Sequence, residues 1–110
     1  MAETLKVLGQ VAPSANSPAN LYTVPSGKSA VVSKLTLCNQ NASAAKARVW
    51  VAQGGATTDA KQYVCYDMIL PVGFAPAEAM AGFALGAGDV VRVQANMANV
   101  SFNVTGSEVG

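Results

Sequence analysis

The stretch that decides the fold is Val100-Ser101-Phe102-Asn103-Val104-Thr105, in which apolar and polar side chains alternate at every position. Successive side chains of a β-strand point to opposite faces, so the pattern predicts a strand that turns Val100, Phe102 and Val104 toward a core. The polar side chains between them would face outward. Such alternation is typical of antiparallel sheets that keep one face in solvent.

Outward from this stretch, most of the chain shows the same kind of segment. Short apolar segments recur at intervals of roughly ten residues and are separated by turn residues such as Pro25-Ser26-Gly27. The predicted strands cover residues 5–11, 21–24, 28–39, 47–51, 62–70, 80–85, 90–95 and 100–105. The sequence therefore predicts an all-β protein, namely an antiparallel β-sandwich that is jelly-roll-like and has about seven or eight strands.

Two local features of this pattern are specific enough to be tested. In the strand over residues 28–39, Val31, Leu35 and Leu37 share one parity, and we expect them on one face of a sheet. The Ala- and Gly-rich residues 71–84 contain two prolines, and we expect a loop there before the strand over residues 80–85.

The length of the chain and the position of a proline-containing loop indicate how the chain is organised. At 110 residues it has the size of one domain. The first predicted strand is followed by a polar loop with Pro13 and Pro18, and we expect residues 1–20 to form an N-terminal strand or arm and loop. Residues 21–110 would form a single β-sandwich domain. The arm is a candidate for contacting a neighbouring molecule.

The composition disfavours catalysis. There is no histidine, the commonest general acid/base, and only two cysteines and six carboxylates are present. Asp67, Glu78 and Asp89 could supply an acid pair for glycoside cleavage, but their spacing does not bring them together. No combination of ligands matches a metal or cofactor site, and Cys38 and Cys65 are expected to be unpaired thiols. We therefore predict a protein that is not an enzyme and needs no metal or cofactor.

The charge and hydropathy of the chain indicate which kinds of partner it binds. Charged residues make up 12% of the chain, the formal net charge is +1, and the seven basic residues are dispersed. This argues against nucleic acid, whose binding requires clustered Lys and Arg, and no segment is long and apolar enough to cross a membrane as a helix. A weakly charged surface instead favours burial against other subunits. The candidate interface residues are Leu5, Val7, Leu8, Trp50, Phe74 and Met80.

The aromatic residues leave one alternative open. Trp50, Tyr63 and Tyr66 could form a platform for stacking sugars, which would make the protein a carbohydrate-binding module. The other interpretation is that Trp50 and one of the tyrosines pack in the core or at a subunit contact, as these residue types commonly do.

Several strings resemble those of small structural proteins of tailed bacteriophages. They are Leu5-Lys6-Val7-Leu8-Gly9-Gln10, then Leu21-Tyr22-Thr23-Val24-Pro25-Ser26-Gly27-Lys28-Ser29-Ala30-Val31-Val32, then Leu85-Gly86-Ala87-Gly88-Asp89-Val90-Val91-Arg92-Val93, and finally Val100-Ser101-Phe102-Asn103-Val104-Thr105-Gly106-Ser107-Glu108. Together with Tyr66-Asp67 they span most of the chain. The sequence departs from the family pattern at residues 71–84 and at Cys65.

The resemblance implies a β-sandwich of the virion, often trimeric, without catalytic residues. We expect a capsid decoration (cement) protein that is made in the bacterial cytoplasm, forms a homo-oligomer, with a trimer favoured, and binds the major capsid protein. A neck, tail or fibre-associated position in the virion, with neck or tail proteins as partners, is the alternative.

Overall fold

The predicted fold class is confirmed, since the protein is an all-β sandwich. The computed structural model describes residues 3–72, 77–80 and 82–110, with residues 77–80 described as backbone only. Its strands are β1 (Glu3–Val11), β2 (Ala19–Thr23), β3 (Ser29–Asn39), β4 (Ala45–Ala52), β5 (Tyr63–Leu70), β6 (Ala77–Met80), β7 (Phe83–Leu85), β8 (Val90–Ala95) and β9 (Val100–Val109). Two single turns of 3-10 helix, Gln53–Gly55 and Ala60–Gln62, lie between β4 and β5.

The expectation for the stretch before Leu85 needs correction. In place of one strand over residues 80–85, two short strands, β6 and β7, are present. Both pair with β3, at different positions along its length. Gly82 lies between them with a φ of 72°, a left-handed conformation that glycine adopts at little cost and that interrupts a continuous strand. The described part of the chain therefore has nine strands, of which β6 and β7 are short.

The strands form two antiparallel sheets. The first sheet has the order β1-β9-β3, with β6 and β7 on the far side of β3, and the second has the order β2-β8-β4-β5. The chain passes between the two sheets repeatedly, and its first and last described strands lie side by side. The core lies between the two sheets. Val100, Phe102 and Val104 of β9 are each 0% exposed, as their alternation predicts.

Two bulges interrupt the first sheet at the same level. The register between β3 and β9 shifts between Val32 and Lys34, and the register between β1 and β9 shifts between Val7 and Gly9. A bulge inserts one residue and so reverses which face the following side chains occupy. The expectation that Val31 shares a face with Leu35 and Leu37 is therefore wrong: Val32 is 0% exposed, whereas Val31 is 42% exposed.

Two glycines make these bulges possible. A Cβ on Gly106 would overlap the carbonyl oxygen of Val31, and a Cβ on Gly9 would overlap the carbonyl oxygen of Leu21. The backbone of β3 thus packs directly against β9 at Gly106. In the same way, β1 packs against the backbone of β2, in the opposite sheet, at Gly9. A side chain at either position would separate strands that the fold holds in contact.

Strand β1 belongs to the sheet of its own chain. Its residues pair with β9 from Glu3↔Val109 to Val11↔Phe102. It is an edge strand, because β9 is its one neighbour in the sheet order. Its inner edge is therefore occupied, and its outer edge has no strand partner among the described residues. The division into an arm over residues 1–20 and a domain over residues 21–110 remains a prediction.

We expect Gly9→Ala to destabilise the protein by about 1–3 kcal/mol, as overpacking does, because the new methyl group meets backbone that has no room to move aside. Gly86→Ala is the matched control, since a Cβ there has only an ordinary contact, 3.8 Å from Asp89 Oδ2. Chemical denaturation of the two variants provides the measurement. Equal stability of Gly9→Ala and the unmodified protein would show that β1 does not pack on β2 in solution.

Candidate interaction surfaces

The bulges produce an apolar surface on the outer face of the first sheet. Leu5 on β1, Ser107 on β9 and Val31 on β3 are register partners in one row across three strands. Leu5 is 78% exposed and Val31 is 42% exposed, and Val7, two residues along β1, is 54% exposed. We call Leu5, Val7 and Val31 the apolar strip. Exposed apolar residues grouped in this way mark candidate sites of association.

The six predicted interface residues have different locations. Leu5 and Val7 lie in the apolar strip, while Leu8 is partly buried against the core. Met80 pairs with Leu35 at the end of β6, and its side chain is not described. Phe74 lies outside the described residues. Trp50 lies on β4.

Trp50 is not available as an interface residue in this conformation. It is 1% exposed, and its indole Nε1 donates a hydrogen bond to Thr58 Oγ1 at 3.1 Å. Its ring packs at 5.3 Å from that of Tyr63, which in turn meets the Tyr66 ring edge to face at 4.9 Å. The sugar-stacking platform is therefore incomplete, because its largest ring is covered. Packing of Trp50 in the core or at a subunit contact was one of the two interpretations of the sequence, but the sequence did not show that residues 53–62 provide the cover, because that loop has no periodic pattern.

Val31 is the member of the apolar strip that sequence analysis missed. Regular alternation assigns it to the core, and only a bulge reverses its direction. The signal was Gly106, since a glycine within a strand pattern often marks a bulge or a close approach of another backbone.

A buried carboxylate anchors β1 beneath the apolar strip. Glu108, on the inner face of β9, has a side chain that is only 4% exposed. The Tyr22 hydroxyl donates to Glu108 Oε2 at 2.6 Å, and Lys6 Nζ lies 2.9 Å from Glu108 Oε1. Lys28 Nζ is farther away, at 4.0 Å. The carboxylate therefore links β1, β2 and the start of β3 to the last strand of the chain.

The partners of Glu108 shift its titration. The hydrogen bond from Tyr22, and then that from Lys6, hold the pKa of Glu108 below its ordinary value of 4.5. Burial, together with the neighbouring carboxylate, raises the pKa of Tyr22. At neutral pH the pair is therefore a neutral phenol donating to a charged carboxylate, which is among the stronger kinds of hydrogen bond.

A second, polar surface lies on the outer face of the second sheet. Tyr66 and Asp67 form a bulge opposite Arg48, since β4 pairs at Ala47↔Met68 and next at Val49↔Cys65. Asp67 has a φ of 53°. Arg48 Nε donates to Asp67 Oδ1 at 2.7 Å, and the Arg48 guanidinium carbon lies 4.1 Å from the centre of the Tyr66 ring. Arg48 holds the pKa of Asp67 below its usual range.

Beside this ion pair is a cleft of about 200 Å³. We call it the Arg48 cleft, and it is lined by Asn16, Lys46, Arg48, Asp67, Gln94, Ala95 and Asn96. The side-chain oxygen of Asn96 accepts a hydrogen bond from the backbone amide of Lys46 at 2.8 Å. The backbone amide of Asn16 donates to the backbone carbonyl of Ala95 at 2.7 Å. The lining is predominantly polar and carries both signs of charge.

The other candidate chemical groups are committed to structural contacts or stand apart. Asp89 accepts from the amides of Gly54 and Gly86, both at 2.8 Å, so its carboxylate closes a turn. Cys38 and Cys65 are free thiols, and burial raises the pKa of Cys65. Within residues 3–72, 77–80 and 82–110, no group of three His, Cys, Asp or Glu side chains is placed to hold a metal ion. The same residues contain no helix long and apolar enough to cross a membrane.

We expect the protein to lose stability as the pH falls below about 4.5, because a carboxylate with a lowered pKa stabilises the folded state only while it is ionised. Glu108→Gln should flatten this acid limb by removing the charge that Lys6 contacts. Asp67, whose pKa is also lowered, should still contribute to the loss of stability at low pH in this variant. Thermal unfolding between roughly pH 3 and pH 7 measures the effect.

The control for that experiment is Glu3→Gln, which removes an exposed carboxylate from β1, the strand that pairs with β9. Its acid limb should match that of the unmodified protein. An acid limb of Glu108→Gln as steep as that of the control would contradict the assigned role of Glu108.

Comparison with known proteins gives limited matches. No protein-family profile matches the chain, and no curated protein matches it. Two solved structures of a pentameric capsid protein isolated from metagenomic phage sequences are similar at 24% identity and a TM-score of 0.39. The match covers 93% of this chain and 58% and 60% of the two solved chains, so this chain spans about three-fifths of their length.

Proposed function

We propose that the protein is a structural component of a bacteriophage virion and, within the virion, a capsid decoration (cement) protein rather than an enzyme. The observation that carries the proposal is the exposed apolar strip on a chain whose sequence resembles phage structural β-sandwiches over most of its length. A decoration protein needs no chemistry. It needs a stable scaffold and a surface that gains free energy when it is covered.

The apolar strip meets that requirement. Full burial of a Val or Leu side chain contributes about 1.5–3 kcal/mol. The apolar strip lies on paired β-strands rather than on a loop, so covering it immobilises little additional backbone. Binding to the assembled lattice and not to its free subunits then stabilises the assembled state by mass action. The partner we propose is the major capsid protein.

The outer edge of β1 is a second element of the proposed attachment. An edge strand offers backbone donors and acceptors to an extended segment of another molecule, which adds hydrogen bonds to apolar burial. The N-terminal residues 1–20 would act as the attachment arm in this way, with β1 kept in its own sheet. A homo-oligomer, with a trimer favoured, is part of the proposal because charged residues make up only 12% of the chain.

A neck, tail or fibre-associated position in the virion is the alternative within the same class. Its surface requirements are the same, but its copy number differs. A carbohydrate-binding module built on Trp50 has less support, because that ring is 1% exposed.

Quantitative mass spectrometry of purified particles tests the position in the virion. We expect a copy number comparable to that of the major capsid protein, since a decoration protein repeats with the lattice. A handful of copies per particle would assign the protein to a neck, tail or fibre. Absence from particles, with the protein present in infected cells, would overturn the proposal of a virion role altogether.

Substitutions in the apolar strip test the attachment surface. We expect Leu5→Asn combined with Val31→Asn to weaken binding to particles, or to dissociate the homo-oligomer, by at least tenfold, because about 1.4 kcal/mol of lost burial suffices for that factor. Ile69→Asn is the matched control, since Ile69 is 66% exposed on the second sheet. Particle co-sedimentation and light scattering, with 11.2 kDa as the mass of one chain, give the two readouts. Equal binding by both variants would remove the apolar strip from the proposal.

A further inference from the structure

The Arg48 cleft has features that a purely structural surface does not require. Among the described residues, three non-glycine residues have a positive φ, namely Asn16, Asp67 and Asn99, and two of them line this cleft. A left-handed backbone costs less at Asn and Asp than at other non-glycine residues, and such conformations tend to cluster at functional sites. The bulge at Asp67 likewise redirects side chains next to the cleft.

The polar groups of the cleft fall into two sets. Arg48, Asp67 and Asn96 are engaged in hydrogen bonds that hold the walls in place. In contrast, the Lys46 ammonium and the side-chain amides of Asn16 and Gln94 have no hydrogen-bond partner within the described part of the chain. The first set fixes the shape of the cleft, and the second is free to bind.

The free groups define the chemistry of an occupant. Asp67 is paired with Arg48 and is also attracted by Lys46, and the two cations and one anion give the cleft a net charge of +1 that favours a carboxylate. The two amides each offer a donor and an acceptor, which matches hydroxyl groups. With a volume of about 200 Å³ the cleft is smaller than the ~300–1,000 Å³ of sites for drug-sized ligands. This suits one sugar ring.

An exposed aromatic side chain adjoins the polar lining. Tyr66 is 59% exposed, and the Arg48 guanidinium covers one face of its ring. Tyr66 is not part of the cleft lining, and it supports the cleft through this contact with Arg48. A fully ionised inorganic anion accepts from Lys46 and from the amide NH2 groups, but it offers no donor to the amide carbonyl oxygens.

From these contacts we infer that the Arg48 cleft is a binding site for an acidic saccharide, with a hexuronate residue as its occupant. The carboxylate lies against Lys46, and the ring hydroxyls lie against Asn16 and Gln94. This site is on the second sheet, whereas the apolar strip is on the first, so glycan binding does not depend on the proposed attachment surface.

Nuclear magnetic resonance titration of the ¹⁵N-labelled full chain tests the site, with digalacturonate as the probe and maltose and acetate as controls. We expect shifts of the side-chain amide signals of Asn16 and Gln94 and of the backbone near Lys46 with digalacturonate only. Lys46→Ala should weaken the affinity about tenfold, because it removes a charge-assisted hydrogen bond. Gln94→Ala should weaken it about threefold.

Lys61→Ala is the matched control, since it removes an exposed lysine outside the cleft, and its affinity should be unchanged. Unchanged signals far from the cleft establish that each variant is folded. Three results would each overturn the inference: no shifts at the cleft with digalacturonate, equal shifts with acetate, or unweakened binding by Lys46→Ala. None of them bears on the copy number in particles, so the proposed function stands or falls separately.

Discussion

The pairing of β9 with both of its neighbours is the constraint on which the rest of the structure depends. Gly106 lets the backbone of β3 approach, and bulges on β1 and β3 flank the same level of β9. On the N-terminal side of the bulges, the odd-numbered side chains of β1 and β3 face solvent. On the C-terminal side, the odd-numbered side chains face the core. The two changes of register thus create an apolar core and an apolar outer surface from one alternating pattern on each strand.

The first sheet depends on β9, the last strand of the chain, for its connections. β9 pairs with β1 along one edge and with β3 along the other, and its Glu108 gathers contacts from Tyr22 and Lys6. The first sheet is therefore held mainly by contacts between distant parts of the sequence. Such topologies fold more slowly than those with local contacts, because long loops must close first.

Much of the fold was predictable because alternation is local. Residues 100–105 and 90–95 each carry enough pattern to define a strand, and the confirmed sandwich follows from their number and spacing. The direction of Val31 was not predictable by counting, since one extra residue at the bulge reverses it. Neither was the covering of Trp50 or the pairing of Arg48 with Asp67, because both depend on where a loop or bulge places side chains that are distant in sequence.

The location of Trp50 has a spectroscopic consequence. It is the only tryptophan in the chain, and it sits on the second sheet beneath the loop over residues 53–62. Tryptophan fluorescence therefore responds to changes in the environment of the second sheet and hardly responds to changes in the first. The protein carries a native optical probe that distinguishes events on its two faces, without any label being introduced.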